Sequence, residues 1–304
     1  MPARPSVTVQ APAKLNLALS VGPPDPAQRG MHPIASWMVT VDLFDDLTLT
    51  ALEPGALSRY AILWHKDARR RSDINWSISK DLAVRAHMAL EKHLGRVGGL
   101  PVQMKVEKRI PVGGGLGGGS SDAAAMLRGL NSLFDLGLSP AELAEVAREL
   151  GSDVPFLVHG GSAMVEGLGE RISLHTRDEA PPFHAVLAFP EAVCQTPRVY
   201  RLFDEIGGSD LRVEAVRELT RRRPVPHSDG LFNDLAPAAM QAAPRLRQDI
   251  DALSKLAERP AHVSGSGSSI FVICDDTMHA SALADAAERK LSLPAVAVQS
   301  ISAA

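Results

Sequence analysis

The chain has 304 residues, 45% hydrophobic and 22% charged, a make-up that excludes disordered, collagen-like and low-complexity proteins and suits one large domain or two ordinary ones. Its 32 Lys and Arg against 35 Asp and Glu leave a formal net charge of -3. There is then no overall field favouring nucleic acid or an anionic membrane, and neither is expected as a partner. Cys194 and Cys274 stand far apart without neighbours at zinc spacing. Neither a disulfide framework nor a structural metal site is indicated, and a reducing, cytoplasmic setting fits best. The opening residues contain no signal-peptide core, and no run of 18 apolar residues occurs anywhere in the chain.

Residues 7–20 alternate, with Leu15, Leu17 and Leu19 on one face and Lys14, Asn16 and Ser20 on the other. That is the period of a half-buried strand. Residues 22–30, with three prolines, read as a loop, and 34–41 and 47–52 as two further strands. The basic stretch 57–76 reads as a solvated face. Leu82, Ala83, Ala86, Leu90 and Leu94 mark a helix over 79–94 stopped by Gly95, and a strand is expected over 101–106.

The most unusual segment follows, Pro111-Val112-Gly113-Gly114-Gly115-Leu116-Gly117-Gly118-Gly119-Ser120-Ser121, ahead of an alanine-rich helix over 123–130. Another helix is expected over 140–150 with Ser139 as its N-cap. A soft boundary falls near Gly160-Gly161. Beyond it the reading is strands at 162–165 and 185–189 and helices at 199–206, 211–219 and 238–256. The chain then runs through a strand at 262–263, a small-residue turn at 264–269, a strand at 270–274, a helix at 278–290 and a last strand at 295–301.

Six glycines among seven residues remove the side chains that keep backbone N–H groups from a ligand, and they admit positive φ. With a helix N-terminus beginning near Ser120, phosphate is the natural occupant, and Ser120 and Ser121 add hydroxyls for phosphate oxygens or a nearby Mg²⁺. A flexible linker is the plainer alternative, although a strand and a strong helix bound the segment tightly. The Walker pattern fails for want of a lysine. The Rossmann pattern matches by letter at Gly113, Gly115 and Gly118, yet a second helix follows where a strand is required.

Three segments in order, Ala13-Lys14-Leu15-Asn16-Leu17, the glycine loop and Ser264-Gly265-Ser266-Gly267, resemble the signatures of the GHMP kinases. Further likeness lies in Gly151-Ser152-Asp153-Val154-Pro155-Phe156, Glu166-Gly167-Leu168-Gly169-Glu170 and Asn233-Asp234-Leu235. The resemblance implies an α+β, two-domain fold with the active site in the interdomain cleft. Residues 1–160 would form the N-terminal domain with the ATP-binding loop, and 161–304 the C-terminal domain. It also implies ATP and Mg²⁺ as cofactors, a small-molecule substrate that is a cytidine diphosphate derivative, and a monomer or homodimer. The metal ligands are left unassigned.

Asp153 reads equally as a helix N-cap or as a catalytic base, and the resemblance assigns it the base. Lys14, by its residues alone a solvent-facing strand lysine, becomes its charge partner. ATP-binding falls to Pro111, Gly113, Gly114, Gly115, Leu116, Gly117, Gly118, Gly119, Ser120 and Ser121. Substrate-binding falls to Asn16, Met31, His32, Thr196, Tyr200, Gly265 and Gly267. Met31 stands where cytidine-binding members carry a stacking tyrosine, so Tyr200 would be the one remaining ring of that clamp.

Overall fold

The computed structural model describes residues 4–175, 182–221 and 230–303. The chain opens with the strands β1 (Ser6–Val21), β2 (Ile34–Ala51) and β3 (Arg59–Trp64), then α1 (Leu82–His93) and β4 (Val102–Lys108). The helices α2 (Gly118–Leu133), α3 (Pro140–Ala147) and α4 (Val154–His159) follow, and then β5 (Ser162–Gly167), β6 (Arg171–Leu174) and β7 (His184–Ala188). Next come α5 (Thr196–Glu205), α6 (Val213–Arg221), β8 (Phe232–Asn233), α7 (Ala236–Ala242) and α8 (Pro244–Ala257). The chain finishes with β9 (His262–Val263), β10 (Ile270–Cys274), α9 (Thr277–Leu291) and β11 (Ala295–Gln299). It forms two compact units: one takes the chain up to Ala13, Leu43–Val112 and Gly117–Gly160, the other Lys14–Asp42, Gly113–Leu116 and the chain from Gly161 on.

In the first unit β3 runs parallel to β4, and β4 pairs antiparallel with the second half of β2. The start of β1 lies beside β2, Ser6 Oγ donating to Leu49 O at 2.9 Å. α2 presses on these strands through Gly129, where a Cβ would come within 2.7 Å of Leu49 Cδ1 and 3.3 Å of Val9 Cγ2. Its buried face, Ala123 to Leu127 and Leu130, is small and apolar, which permits that close approach. α1 is capped by Asp81, whose Oδ1 accepts from Ala83 N at 2.9 Å. α3 opens with a full capping box between Ser139 and Glu142.

In the second unit the later half of β1 runs parallel to β8, with Ala18 opposite Phe232 and Leu19 opposite Asn233. The first part of β2 pairs antiparallel with β5, and β5 with β6. A separate antiparallel sheet has the order β11-β7-β10-β9 and carries α8 and α9. Among the described residues, no helix is long and apolar enough to cross a membrane.

Several expectations are corrected. β1 is buried on both faces from Ala11 to Val21, so Lys14, Asn16 and Ser20 are interior residues and not a solvated edge. The strands at 34–41 and 47–52 are one continuous β2, because Asp42, Asp45 and Asp46 are accommodated within the strand. The basic stretch contains β3, paired to β4, and β6 and the two-residue β8 were not anticipated. α2 starts at Gly118, earlier than expected, because Gly117 takes φ 70° and turns the chain into the helix. The helix over 238–256 is broken at Ala243, since Pro244 has no N–H to continue α7 and instead opens α8.

Candidate active site

Within the second unit a buried cluster gathers around Lys14. Its Nζ donates to Asn16 Oδ1 at 2.5 Å and to Gly115 O at 2.9 Å, at 4% exposure. Asn16 Nδ2 donates to Ser36 Oγ at 2.8 Å, and Ser36 Oγ donates in turn to Ala18 O at 2.8 Å. The period-2 strand makes this pairing: residues 14 and 16 share a face, so the ammonium and the amide oxygen meet without any turn. A buried ammonium needs such acceptors, since desolvating an unpaired charge costs several kcal/mol or more.

The turn after β9 closes on this cluster. Ser264 Oγ donates to Gly115 O at 3.2 Å and accepts from Asn16 N at 3.4 Å. Gly265 has φ 55°, and a Cβ there would meet Gly115 O at 3.1 Å, Lys14 Nζ at 3.2 Å and Asn16 Oδ1 at 3.3 Å. Gly115, at φ 75°, is tighter still, since its Cβ would stand 2.1 Å from Ser264 O. Lys14 N donates to Leu116 O at 2.9 Å and Ser269 N to Gly114 O at 3.0 Å. Residues 113–116, the turn and the strand carrying Lys14 are thus laced by backbone bonds, and only glycine fits at their crossings.

The same unit brings together an aromatic group. The His32 ring lies 5.1 Å from Tyr200 and 5.9 Å, edge-on, from Phe203. Its Nδ1 faces Gly22 O at 2.9 Å; a carbonyl only accepts, so that nitrogen carries the proton. Nε2 is left toward Asp204 Oδ2 at 3.5 Å. Thr196 Oγ1 pairs with Ser266 Oγ at 2.8 Å, tying α5 to the turn. Met31 is 49% exposed, and its backbone bridges Asp25. The Glu166–Glu170 segment shapes the turn between β5 and β6, Glu170 accepting from Leu168 N at 2.6 Å.

In the first unit the beginning of α2 offers what an anion needs. The N–H groups of Gly118, Gly119 and Ser120 lie in the first turn, where no intrahelical acceptor exists, and Gly119 is exposed. Ser121 Oγ and Asp122 Oδ1 are buried with no hydrogen-bond partner. Beneath them Lys108 Nζ bridges Asp45 and Asp122, each at 2.5 Å. Asp45 Oδ1 also accepts from Ile110 N at 2.8 Å and from Arg109 N, which fixes the chain just before the glycine loop. Burial pushes the Asp122 carboxyl up to about 8, Lys108 opposing the shift and the Asp45 charge adding to it. Burial by itself would lower Lys108, but the two carboxylates hold its ammonium well above the usual range. Asp153 is the N-cap residue of α4, its backbone carbonyl accepting from Leu157 N at 3.1 Å, but it is half-buried and its side chain makes no capping bond to that helix.

Residues 81–161 match the model of the GHMP kinases N terminal domain, and residues 215–293 that of the GHMP kinases C terminal domain. The chain is 35% identical over 279 residues to a 4-diphosphocytidyl-2-C-methyl-D-erythritol kinase of Mycolicibacterium gilvum, covering 88% of this chain and 82% of that one. It is also 35% identical over 293 residues to the kinase of the same name from Paenarthrobacter aurescens, covering 92% and 89%. The chain belongs to the GHMP kinases. A crystal structure of 4-(cytidine 5'-diphospho)-2C-methyl-D-erythritol kinase is similar with a TM-score of 0.72 at 32% identity, covering 97% of this chain and 99% of that one. Homoserine kinase from Cytophaga hutchinsonii shares the fold alone, with a TM-score of 0.68 at 16% identity.

As a GHMP kinase the chain is a phosphotransferase acting on an alcohol. Of the residues expected from sequence, Lys14, Asn16, Gly115, Gly265 and Gly267 share one neighbourhood, and Thr196 joins it through Ser266. His32 and Tyr200 form a pair, and Met31 is half in solvent. Sequence reasoning missed Ser36, Asp45, Lys108 and any role for Asn233. A carboxylate inside an otherwise apolar strand, as at Asp45, is the signal that could have found one of them.

Proposed function

We propose that this GHMP kinase transfers the γ-phosphoryl group of ATP to the C2 hydroxyl of 4-diphosphocytidyl-2-C-methyl-D-erythritol, in the non-mevalonate route to isoprenoid precursors. The observation that carries the acceptor is the likeness, at 35% identity over most of both chains, to kinases named for that substrate. The buried Lys14, Asn16 and Gly115 cluster supports the chemistry, because a held cation is what a transferring phosphoryl group requires.

In this reading Asp153 takes the hydroxyl proton as the C2 oxygen attacks. Lys14 favours the alkoxide with its positive charge, and Asn16 aims the ammonium. Residues 111–121 hold the nucleotide phosphates through backbone N–H groups and the hydroxyls of Ser120 and Ser121. Mg²⁺, when bound with ATP, neutralises the β and γ oxygens. The donor set fits it: the partnerless Ser121 hydroxyl could join phosphate and water oxygens, and Mg²⁺ needs few protein ligands. His32 and Tyr200 read the cytosine, with Thr196, Gly265 and Gly267 lining the diphosphate side. The proposed division into residues 1–160 and 161–304 assigns the nucleotide to the first part. A cytoplasmic enzyme, monomeric or homodimeric, completes the reading.

A second acceptor, another small alcohol such as homoserine, a mevalonate derivative or a sugar, is favoured only by Met31. ADP release with MgATP should be measured on the cytidyl substrate beside homoserine, mevalonate and galactose, with Asp153→Asn as the blank. Release with the cytidyl substrate alone, lost in the variant, supports the proposal. Release with another acceptor and none with this one overturns it.

A further inference from the structure

Asn233 spends its whole amide inside the second unit. Its Nδ2 donates to Val263 O at 2.8 Å and to Gly265 O at 2.7 Å, while its Oδ1 accepts from Leu235 N at 2.9 Å. The two carbonyls flank Ser264, so one planar group fixes both peptides that open the turn. Ser264 in turn bonds Gly115 O and Asn16 N, and Gly265 lies against Lys14 Nζ. The other end of Asn233 is equally fixed. It stands opposite Leu19 in β1, and next to it Asp234 Oδ2 accepts from Ser20 Oγ at 2.9 Å, Val21 N at 3.0 Å and Ser209 Oγ at 3.0 Å. Asn233 is thereby referenced to the strand that carries Lys14 and Asn16, and it holds the turn that covers them.

We propose that Asn233 is a positioning residue for phosphoryl transfer: it sets the turn at 264–267 on the Lys14, Asn16 and Gly115 cluster and so fixes how the ammonium is presented. Its kinetic arm rests on the proposed reaction; its structural arm does not. No other side chain of this size supplies the same pattern. Aspartate keeps the acceptor for Leu235 N but sets a carboxylate oxygen against two carbonyl oxygens, and serine reaches at most one of them.

The test uses the full chain as wild type, Asn233→Asp and Asn233→Ser. Amide hydrogen exchange should quicken in 263–269 and 113–116 and stay unchanged in β7 and β10. Turnover per folded molecule should fall about tenfold or more in Asn233→Asp, with KM for ATP within about twofold of wild type, because orientation and not nucleotide binding is lost. Should the aspartate variant fail to fold, the serine variant is read by the same two measures. Unchanged exchange around the turn, or turnover per folded molecule equal to wild type, overturns the proposal. Quickened exchange in a protein whose wild type phosphorylates no acceptor would sink the reaction and leave the clamp standing.

Discussion

At the scale of single residues, the buried trio of Lys108, Asp45 and Asp122 sets one cation against two carboxylates. A carboxyl such as Asp122, raised to about 8 on folding, binds its proton more tightly in the folded chain than in the unfolded one. Its contribution to stability is therefore fully present below the unfolded value of about 4 and is lost as pH climbs toward 8. Urea midpoints should fall across that window in wild type and fall less in Asp122→Asn. Equal slopes in the two proteins would remove the account. Lys108→Met, which leaves the buried Asp45 carboxylate without its cation, should cost about 3–5 kcal/mol near neutral pH by urea unfolding. The sequence singles out Lys14 and Asp153 because each sits in a recognisable motif. It does not single out Asp45, whose task is to accept backbone N–H groups from Arg109 and Ile110, a contact 64 and 65 residues away that no local pattern announces.

At the scale of elements, the glycine run divides into positions with different demands. Gly113 and Gly115 both have positive φ, but a Cβ at Gly113 meets open space, whereas at Gly115 it strikes Ser264 O. Gly113→Ala should cost only the left-handed strain, about 1–2 kcal/mol, and retain most turnover. Gly115→Ala should abolish turnover; comparable kcat in the two variants would contradict that packing. α1 depends on its cap, and Asp81→Ala should lower stability by about 1–2 kcal/mol in the nucleotide-free protein. Long periodic helices and the capping serine at 139 could be read directly from the sequence. The start of α2 could not, because glycine has poor helix propensity and the helix opens inside the glycine run only with the chain turned by Gly117. β8 is similarly invisible, two residues whose pairing with β1 alone makes them a strand.

At the scale of the molecule, the ordered motifs disclosed the family and the α+β class, while the interleaving of the two units stayed hidden. Parallel pairing of β1 with β8 joins segments far apart in sequence, and nothing in either segment names its partner. If the first turn of α2 and residues 111–121 hold the nucleotide, MgATP at 100 times its Kd should stabilise the chain by about 2.7 kcal/mol. Asp153→Asn should keep that thermal shift while losing turnover; loss of both would reassign Asp153 from chemistry to binding or folding.

The interleaving also sets a schedule for synthesis. Asn16 and its partner Ser264 are 248 residues apart, and Val21 and the Asp234 carboxylate 213. At about 5–20 residues per second, a ribosome releases the Lys14 strand roughly 12–50 seconds before the turn that covers it. For that interval the growing chain carries the Lys14 ammonium without the turn that covers it. A chain arrested short of residue 264 would have its whole glycine loop and no seat for it, and so would be a kinase in sequence and not in activity.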